Sequence, residues 1–308
     1  MKSTTMKKRI DIYQQVTDRI VDGLKEKGLA WFKPWATNGT AMLPINNATG
    51  RRYNGVNILF LSWACEQKGY EHNEWLTYKQ ADAKGGQVRK GEKGTPVIFW
   101  NISLRGEDGK FYKKVQDVPP GMAFDKIFSP RAFNVFNIGQ CDGLEPNREP
   151  VKPVGEFTPI KRADGVYEGY PAKVRPTLGV GGQSAFYSPK RHHVQMPKPE
   201  TFVSADDYYK TLFHELVHST GHESCLKRKE VVHLQPFGTQ DYSKEELVAE
   251  IGSNFLVGIT GIEPKDNEQN SQAYINGWIV KLQEQPKMAL SAATRAMKAV
   301  DFILGEEA

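Results

Sequence analysis

Tyr208-Tyr209-Lys210-Thr211-Leu212-Phe213-His214-Glu215-Leu216-Val217-His218-Ser219-Thr220-Gly221-His222 is the stretch on which the reading of this chain turns. Tyr208, Leu212, Phe213, Leu216 and Val217 supply apolar faces at helical spacing, and Gly221 sits where a helix commonly ends. Residues four apart share one face of a helix. His214 and His218 can therefore each offer a ring nitrogen to one ion at about 2.0–2.1 Å, with Glu215 beside the open coordination position. The pattern predicts a metal-binding helix for zinc, or for another divalent ion such as Mn2+.

Two histidines fall short of the three protein ligands that a catalytic zinc site normally has. His222 is about 12 Å from His214 along a continuous helix, and qualifies only if Gly221 turns the chain back. A second segment, Glu245-Glu246-Leu247-Val248-Ala249-Glu250, sets Glu246 and Glu250 four apart on one helix face. In one reading Glu246 binds metal and Glu250 orients a histidine ring from behind. In the other, Ser243-x-x-Glu246 is a capping box that folds Glu246 back on Ser243 and leaves Glu250 as the ligand. With such an ion in place, Glu215 is the candidate general base for a water attacking a carbonyl, and peptide hydrolysis is the expected reaction. His222, His233 and Tyr242 are the candidates by position for an oxyanion donor. His192 and His193 lie in a strand-like stretch where a substrate backbone would pair edge-on, unless they are plain surface residues.

Outward from these segments, 308 residues are enough for two domains, and 39% apolar with 25% charged residues is the composition of a globular protein. The net charge of +5 is unevenly spread: residues 1–150 hold 23 Lys/Arg against 16 Asp/Glu, and residues 151–308 hold 18 against 20. A segregated positive charge points the first half toward a polyanion. Cys65, Cys141 and Cys225 are odd in number and widely spaced, which excludes a disulfide framework and a thiolate zinc site and fits a reducing compartment. Lys7, Lys8 and Arg9 are followed by polar residues where a signal peptide needs an apolar run, and no stretch approaches membrane-span length. A cytoplasmic protein with no membrane partner is expected.

Periodicity predicts helices over residues 9–27, with Gly28 as the stop, and over Asn57 to Lys68. Strands are expected at Val97 to Trp100 and at Ala132 to Ile138. Pro146, Pro150, Pro153 and Pro159 mark a linker over 145–159, between a first domain at 1–144 and a second at 160–308. The second opens with strand-like pieces at Ala172 to Arg175 and Ser184 to Met196. Helices follow at Ala205 to Thr220, Lys244 to Ile259, Gln272 to Glu284 and Lys287 to Leu304. The whole is an α+β protein of two domains.

Tyr187-Ser188-Pro189, Val194 to Pro197, Tyr208 to His222, Glu245 to Glu250 and Tyr274 to Trp278 resemble the C-terminal peptidase domain of the ArdC-type antirestriction proteins. Trp31 to Trp35, Tyr53 to Asn57, Trp75 to Ala81, Gly85 to Gly94 and Phe133 to Asn137 are similar to the N-terminal half of the same family. Phe157 to Gly182 fits the pattern least. The resemblance implies a plasmid- or phage-borne protein that binds single-stranded DNA through its first domain and protects incoming DNA from host restriction. It implies a zincin domain in which two helix histidines and a downstream glutamate hold the metal. The family's Glu-x-x-Ala-acid pattern falls on Glu246, Ala249 and Glu250 and favours Glu246 as the ligand.

Read without the family, the first half gives the same expectation: aromatic faces stack bases while cations neutralise phosphates. The candidate DNA contacts are Trp31, Lys33, Trp35, Arg51, Arg52, Tyr53, Trp75, Tyr78, Lys79, Arg89, Lys90 and Lys93, some of whose rings must serve the core. Candidate protein partners are a peptide substrate or components of host restriction. Three rival readings stand beside this one. They are a DNA-binding protein with a structural metal, a peptidase acting on DNA-bound proteins, and a replication accessory whose basic half recruits a primase.

Overall fold

The computed structural model describes residues 11–28, 43–148, 159–233, 240–264 and 268–306, with the side chains of 27, 159, 240–242 and 268–275 left aside. The opening helix is α1 (Ile12–Lys27): Asp11 accepts the first free backbone N–H groups, from Tyr13 and Gln14, and Gly28 ends the helix at φ 59°. The first half continues through β1 (Ile45–Asn46), α2 (Val56–Gln67), β2 (Glu74–Leu76), α3 (Tyr78–Ala83), β3 (Gln87–Val88), β4 (Thr95–Gly106), β5 (Phe111–Tyr112), β6 (Phe124–Asn137) and β7 (Cys141–Asp142). Five strands form a sheet in the order β1-β2-β6-β4-β5, and β3 pairs with β7. The two strands expected from sequence are arms of one long hairpin, in register from Thr95 opposite Val135 to Gly106 opposite Phe124. The arms outrun the expected strands because they extend beyond the core, where Asn101, Ser103 and Ser129 break the apolar pattern yet complete the ladder.

The second half holds α4 (Pro159–Gly169), β8 (Thr177–Val180), β9 (Phe186–Ser188), β10 (His193–Met196), α5 (Ala205–Ser219), α6 (Lys229–Val232), α7 (Gln240–Thr260), α8 (Glu268–Glu284) and α9 (Pro286–Ile303). Its sheet runs β8-β10-β9, so β9 is an edge. Ala172 to Arg175, expected as strand, is a short 3-10 turn ahead of β8. Phe157 to Gly182, the stretch that fits the family least, contains α4, whose Ala163 and Val166 are buried, with Tyr170 buried just past its end. The expected four C-terminal helices are α5, α7, α8 and α9.

The chain is thus an α+β protein of two domains, and its largest core crosses the sequence boundary drawn at 145–159. Val16, Ile20 and Leu24 of α1 and Ile58 and Leu59 of α2 belong to one buried cluster with Leu290, Ala293 and Met297 of α9. Most of the expected linker, residues 149–158, lies outside the described residues. Smaller clusters serve the sheet alone, one around Trp75, Val97 and Val135.

Because α1 is held by helices of the other half, Ile20→Ala should destabilise both halves together, by about 2–5 kcal/mol for a buried aliphatic cut to alanine. Calorimetry should show one transition moving as a whole. Two transitions, with only one shifted, would refute the shared core.

Candidate metal centre and nucleic-acid interface

Local sequence explains how α5 comes to present its histidines. Ser204 caps the helix by accepting the Asp207 N–H at 3.2 Å, and Asp206 and Asp207 place negative charge at its positive end. Leu212, Phe213, Leu216 and Val217 are buried, which turns His214 and His218 toward α7. The two helices approach closely because Gly252 faces Val217: a Cβ at 252 would stand 2.9 Å from Val217 Cγ2. At the end of α5, Gly221 lies against Val231, where a Cβ would be only 2.4 Å from Cγ2.

Where α5 meets α7, three donor groups converge. His214 Nε2 and His218 Nε2 are 3.1 Å apart, and they lie 3.5 and 3.4 Å from the two carboxylate oxygens of Glu246. An ion bonded tetrahedrally at about 2.0–2.1 Å would set its ligand atoms about 3.3 Å from one another. The residues present therefore fit a divalent metal, and among the described residues they are the group of metal-binding type that the structure gathers. Glu250 faces the far side of His214, with Oε2 3.6 Å from Nδ1, and Asn254 holds it at 2.9 Å. α7 begins at Gln240, so Ser243 lies inside the helix rather than at its cap, and its hydroxyl meets Lys281 Nζ. The capping-box alternative for Glu246 therefore does not hold. His222 stands apart: its ring stacks on His192 at 4.1 Å and its Nδ1 meets Ser224 Oγ at 2.8 Å.

Sequence reasoning missed a third carboxylate. Glu245 Oε1 lies 3.2 Å from His218 Nδ1, and both its oxygens are bound by the buried Arg228 at 2.7 and 2.9 Å. Arg228 also donates to Val217 O and Thr220 Oγ1, each at 2.7 Å, and so satisfies acceptors at the end of α5. Glu245 was legible as the neighbour of Glu246 in one helical turn; Arg228 gave no signal in sequence. Burial works against charge on both histidines, but carboxylate partners outweigh it. Glu246 and Glu250 raise His214 well above the ordinary value, and Glu245 and Glu246 raise His218 to about 9. Burial likewise opposes ionisation of the three glutamates, yet their histidine and arginine partners hold all three below the usual carboxylate range.

The centre opens into a cleft of about 310 Å³ lined by Glu215 and, opposite, by Phe186 and Tyr187 of β9. Strand β9 is the sheet edge beside the cleft, whereas His193 lies in the central strand β10 with no free edge to offer. His192, in the left-handed region at φ 44°, has Nε2 2.8 Å from Val174 O and Nδ1 2.8 Å from the Tyr187 hydroxyl. An Nε2–H bonded to that carbonyl leaves Nδ1 as acceptor, so the Tyr187 hydroxyl donates to His192. The Tyr242 side chain lies outside the described residues, and His233 ends α6.

The expected DNA contacts divide by exposure. Trp31, Lys33 and Trp35 lie outside the described residues. Trp75 is wholly buried and Tyr53 nearly so, and a ring without a free face cannot stack a base. Arg51, Lys79, Lys90 and Lys93 are exposed, Tyr78 is 56% exposed, and Arg89 is paired with Glu92 and Asp142. Arg52 is held by Asp301 and Glu306 of the other half. Beside Tyr78, the hairpin presents four exposed aromatics that the expected contacts did not include: Phe99, Trp100, Phe128 and Phe133, with Phe99 and Phe133 edge to face at 5.7 Å. A cleft of about 640 Å³ between the sheet and α9 is lined by Arg51, Phe99, Trp100, Thr294 and Lys298, among others.

The protonation state of the metal-free centre gives a test with two signs. Both histidines must lose a proton to bind metal, so apparent metal affinity should climb as pH rises through about 9, where His218 loses its proton. Stability of the metal-free protein should run the other way. The His218 contribution is full below the ordinary 6.5 and is lost as pH rises through about 9. Metal titrations and thermal melts after chelation over that window measure both. In addition, Arg228→Ala should cost about 3–5 kcal/mol by stranding Glu245, and Arg228→Met with Glu245→Leu should cost much less.

Comparison with known proteins gives the family and its two domains. Residues 10–136 match the model of the N-terminal domain of anti-restriction factor ArdC, and residues 167–295 match the zincin-like metallopeptidase model. The crystal structure of the antirestriction ArdC protein from plasmid R388 with Mn(II) bound superposes with a TM-score of 0.71 at 31% identity, covering 96% of this chain and 98% of that one. Its metal-free form gives 0.72 at 32%, covering 96% and 97%. Among curated relatives, the protein y4eC of Sinorhizobium fredii (strain NBRC 101917 / NGR234) is 32% identical over 299 residues, 96% of this chain and 92% of that protein. A DNA primase TraC of Escherichia coli is 38% identical over 302 residues, 96% of this chain, but the chain spans only 27% of that primase's length. The chain belongs to the ArdC family of antirestriction proteins, with a zincin-like metallopeptidase domain.

Proposed function

From membership of that family, we propose that the chain binds single-stranded DNA and protects it on entry into a new cell, and that its C-terminal half is a zinc peptidase. The meeting of His214, His218 and Glu246 at ligand spacing beside Glu215 is the observation that carries the peptidase part. In this reading His214, His218 and Glu246 hold the ion, while Glu250 and Glu245 fix the orientation of the two rings through their Nδ1 atoms. When bound, such an ion polarises a carbonyl and makes water acidic enough to attack it near neutral pH. Glu215 takes the proton of the attacking water and passes it to the departing amine. The open edge of β9 pairs with an extended peptide along the cleft.

The DNA part rests on exposed rings and cations around the hairpin cleft, with Arg51, Lys79, Lys90 and Lys93 contributing charge. Since the chain spans about a quarter of the TraC primase it resembles, a primase-linked role in a longer protein is a second reading. Among the described residues no helix is long and apolar enough to cross a membrane.

Glu215→Gln should keep a full equivalent of metal and abolish hydrolysis, whereas Glu246→Ala should lose the metal and with it thermal stability. Elemental analysis, melting and cleavage of a peptide library on the full-length variants decide this. Metal retention by Glu246→Ala, or hydrolysis by Glu215→Gln, would overturn the assignment. Phe99→Ala with Phe133→Ala should weaken oligothymidylate binding about 10-fold or more, since base stacking contributes about 1–3 kcal/mol per base. Unchanged affinity would move the DNA site elsewhere.

A further inference from the structure

Net charge assigns nucleic acid to the first half, but the surface of the second half is not uniformly acidic. Two recesses, of about 230 and 360 Å³, adjoin α9 and α6 and share Lys229, Glu230 and Arg295 as walls. Lys287 and Lys244 line the first, and Lys227 and Lys298 line the second. Lys298 also lines the aromatic cleft under the hairpin. The three hollows are therefore neighbours along one face of α9, on which Lys287, Ser291, Arg295 and Lys298 follow one another over about 16 Å of helix.

Acid does not cancel this charge. Glu230 is the one carboxylate lining the two recesses, and it is buried and bound to Arg295 at 2.8 Å. Arg228 is likewise matched by Glu245. Among the described residues, Lys227, Lys229 and Lys298 are exposed and have no ion pair. A solubility charge on a half with more acids than bases has no reason to gather unpaired lysines in adjoining hollows. A chain of phosphates does.

We propose that this track carries the phosphate backbone of the bound single strand out of the aromatic cleft, past Lys298, Lys227 and Lys229. Glu230 lines the metal cleft as well as both recesses, so the track ends at the rim of the metal centre. A protein riding on the strand would thereby be brought to the peptidase cleft. The inference rests on the single-strand reading above and adds that the C-terminal half is part of the DNA site.

The test uses the full-length protein and labelled oligothymidylate over a range of salt. Replacing Lys227, Lys229 and Lys298 together by alanine should lower the slope of log affinity against log salt by about 2, at about 0.7 for each phosphate no longer neutralised, and weaken binding about 10–100-fold at low salt. The triple arginine variant should keep the wild-type slope. Metal content and melting temperature should stay unchanged in both, since the three side chains are exposed. If wild type binds and the alanine variant keeps its slope and affinity, the track is refuted while the hairpin site stands. That outcome would leave the lysines to an acidic protein or to no ligand. If wild type fails to bind any single strand, the reading beneath the proposal fails as well. A variant that loses metal or stability along with binding would count against a phosphate track and for a structural role.

Discussion

The close approach of α5 and α7 is the constraint on which the rest of the second half depends. Gly252 removes the one side chain that would hold the helices apart at Val217. Everything polar at the centre then follows from two helices touching at that depth. His214 and His218 come from one side, Glu245, Glu246 and Glu250 from the other, with Arg228 closing the end. Such a concentration of buried charge is costly unless each group finds a partner, and here each does. The arrangement also explains the state of the metal-free centre. Three carboxylates around two imidazoles hold protons that a divalent ion would displace, so the apparatus that orients the rings also sets the competition between proton and metal.

Adjacent residues on a helix point about 100° apart. Glu245 and Glu246 therefore cannot serve the same atom, and they do not: Glu246 reaches the inward nitrogens and Glu245 the outward nitrogen of His218. Glu250, one turn on from Glu246, reaches the outward nitrogen of His214. One short acidic segment thus supplies both the proposed ligand and the supports behind both rings. Arg228 lets this work without a net burial of negative charge, because it neutralises Glu245 while tying α7 to the last carbonyls of α5.

How much of this is legible in sequence follows from the range of each interaction. The helices and the pairing of His214 with His218 rest on spacing within one element, and the sequence carries them; the choice of Glu246 over Glu250 as the proposed ligand rests on the family resemblance. Arg228 has no such signature, since its partners lie in two other elements. The long hairpin reads in sequence as two short strands because its arms leave the core, and hydrophobic alternation marks only strands with a buried face. Trp75 and Tyr53 have the basic neighbours of base-stacking rings, but composition cannot tell a ring beside lysines from a ring beneath them. Phe99 and Phe133, which read as ordinary strand residues, carry the exposed faces.

The two sequence halves also answer to different criteria than the two bodies of the fold. The prolines over 145–159 suggest a boundary in sequence, but packing decides which elements belong together. α1, first in sequence, buries Val16, Ile20 and Leu24 among the last helices. This packs α1 on α8 and α9, and it fixes the hairpin against α9, with Tyr13 standing between Trp100 at 6.3 Å and Lys287 at 5.5 Å. A nucleic-acid cleft bounded by the sheet on one side and by α9 on the other needs that fixed relation, for neither wall alone makes a cleft. Arg52 reinforces it from the opposite side through Asp301, whose carboxyl burial raises in pKa while the guanidinium holds it down. Among the described residues, the relation between the halves is therefore set by apolar packing of α1 and α2 and trimmed by the ion pairs of Arg52. In that geometry α9 forms a wall of the proposed DNA site, and through Arg295 it holds Glu230 of α6, which lines the proposed peptidase cleft.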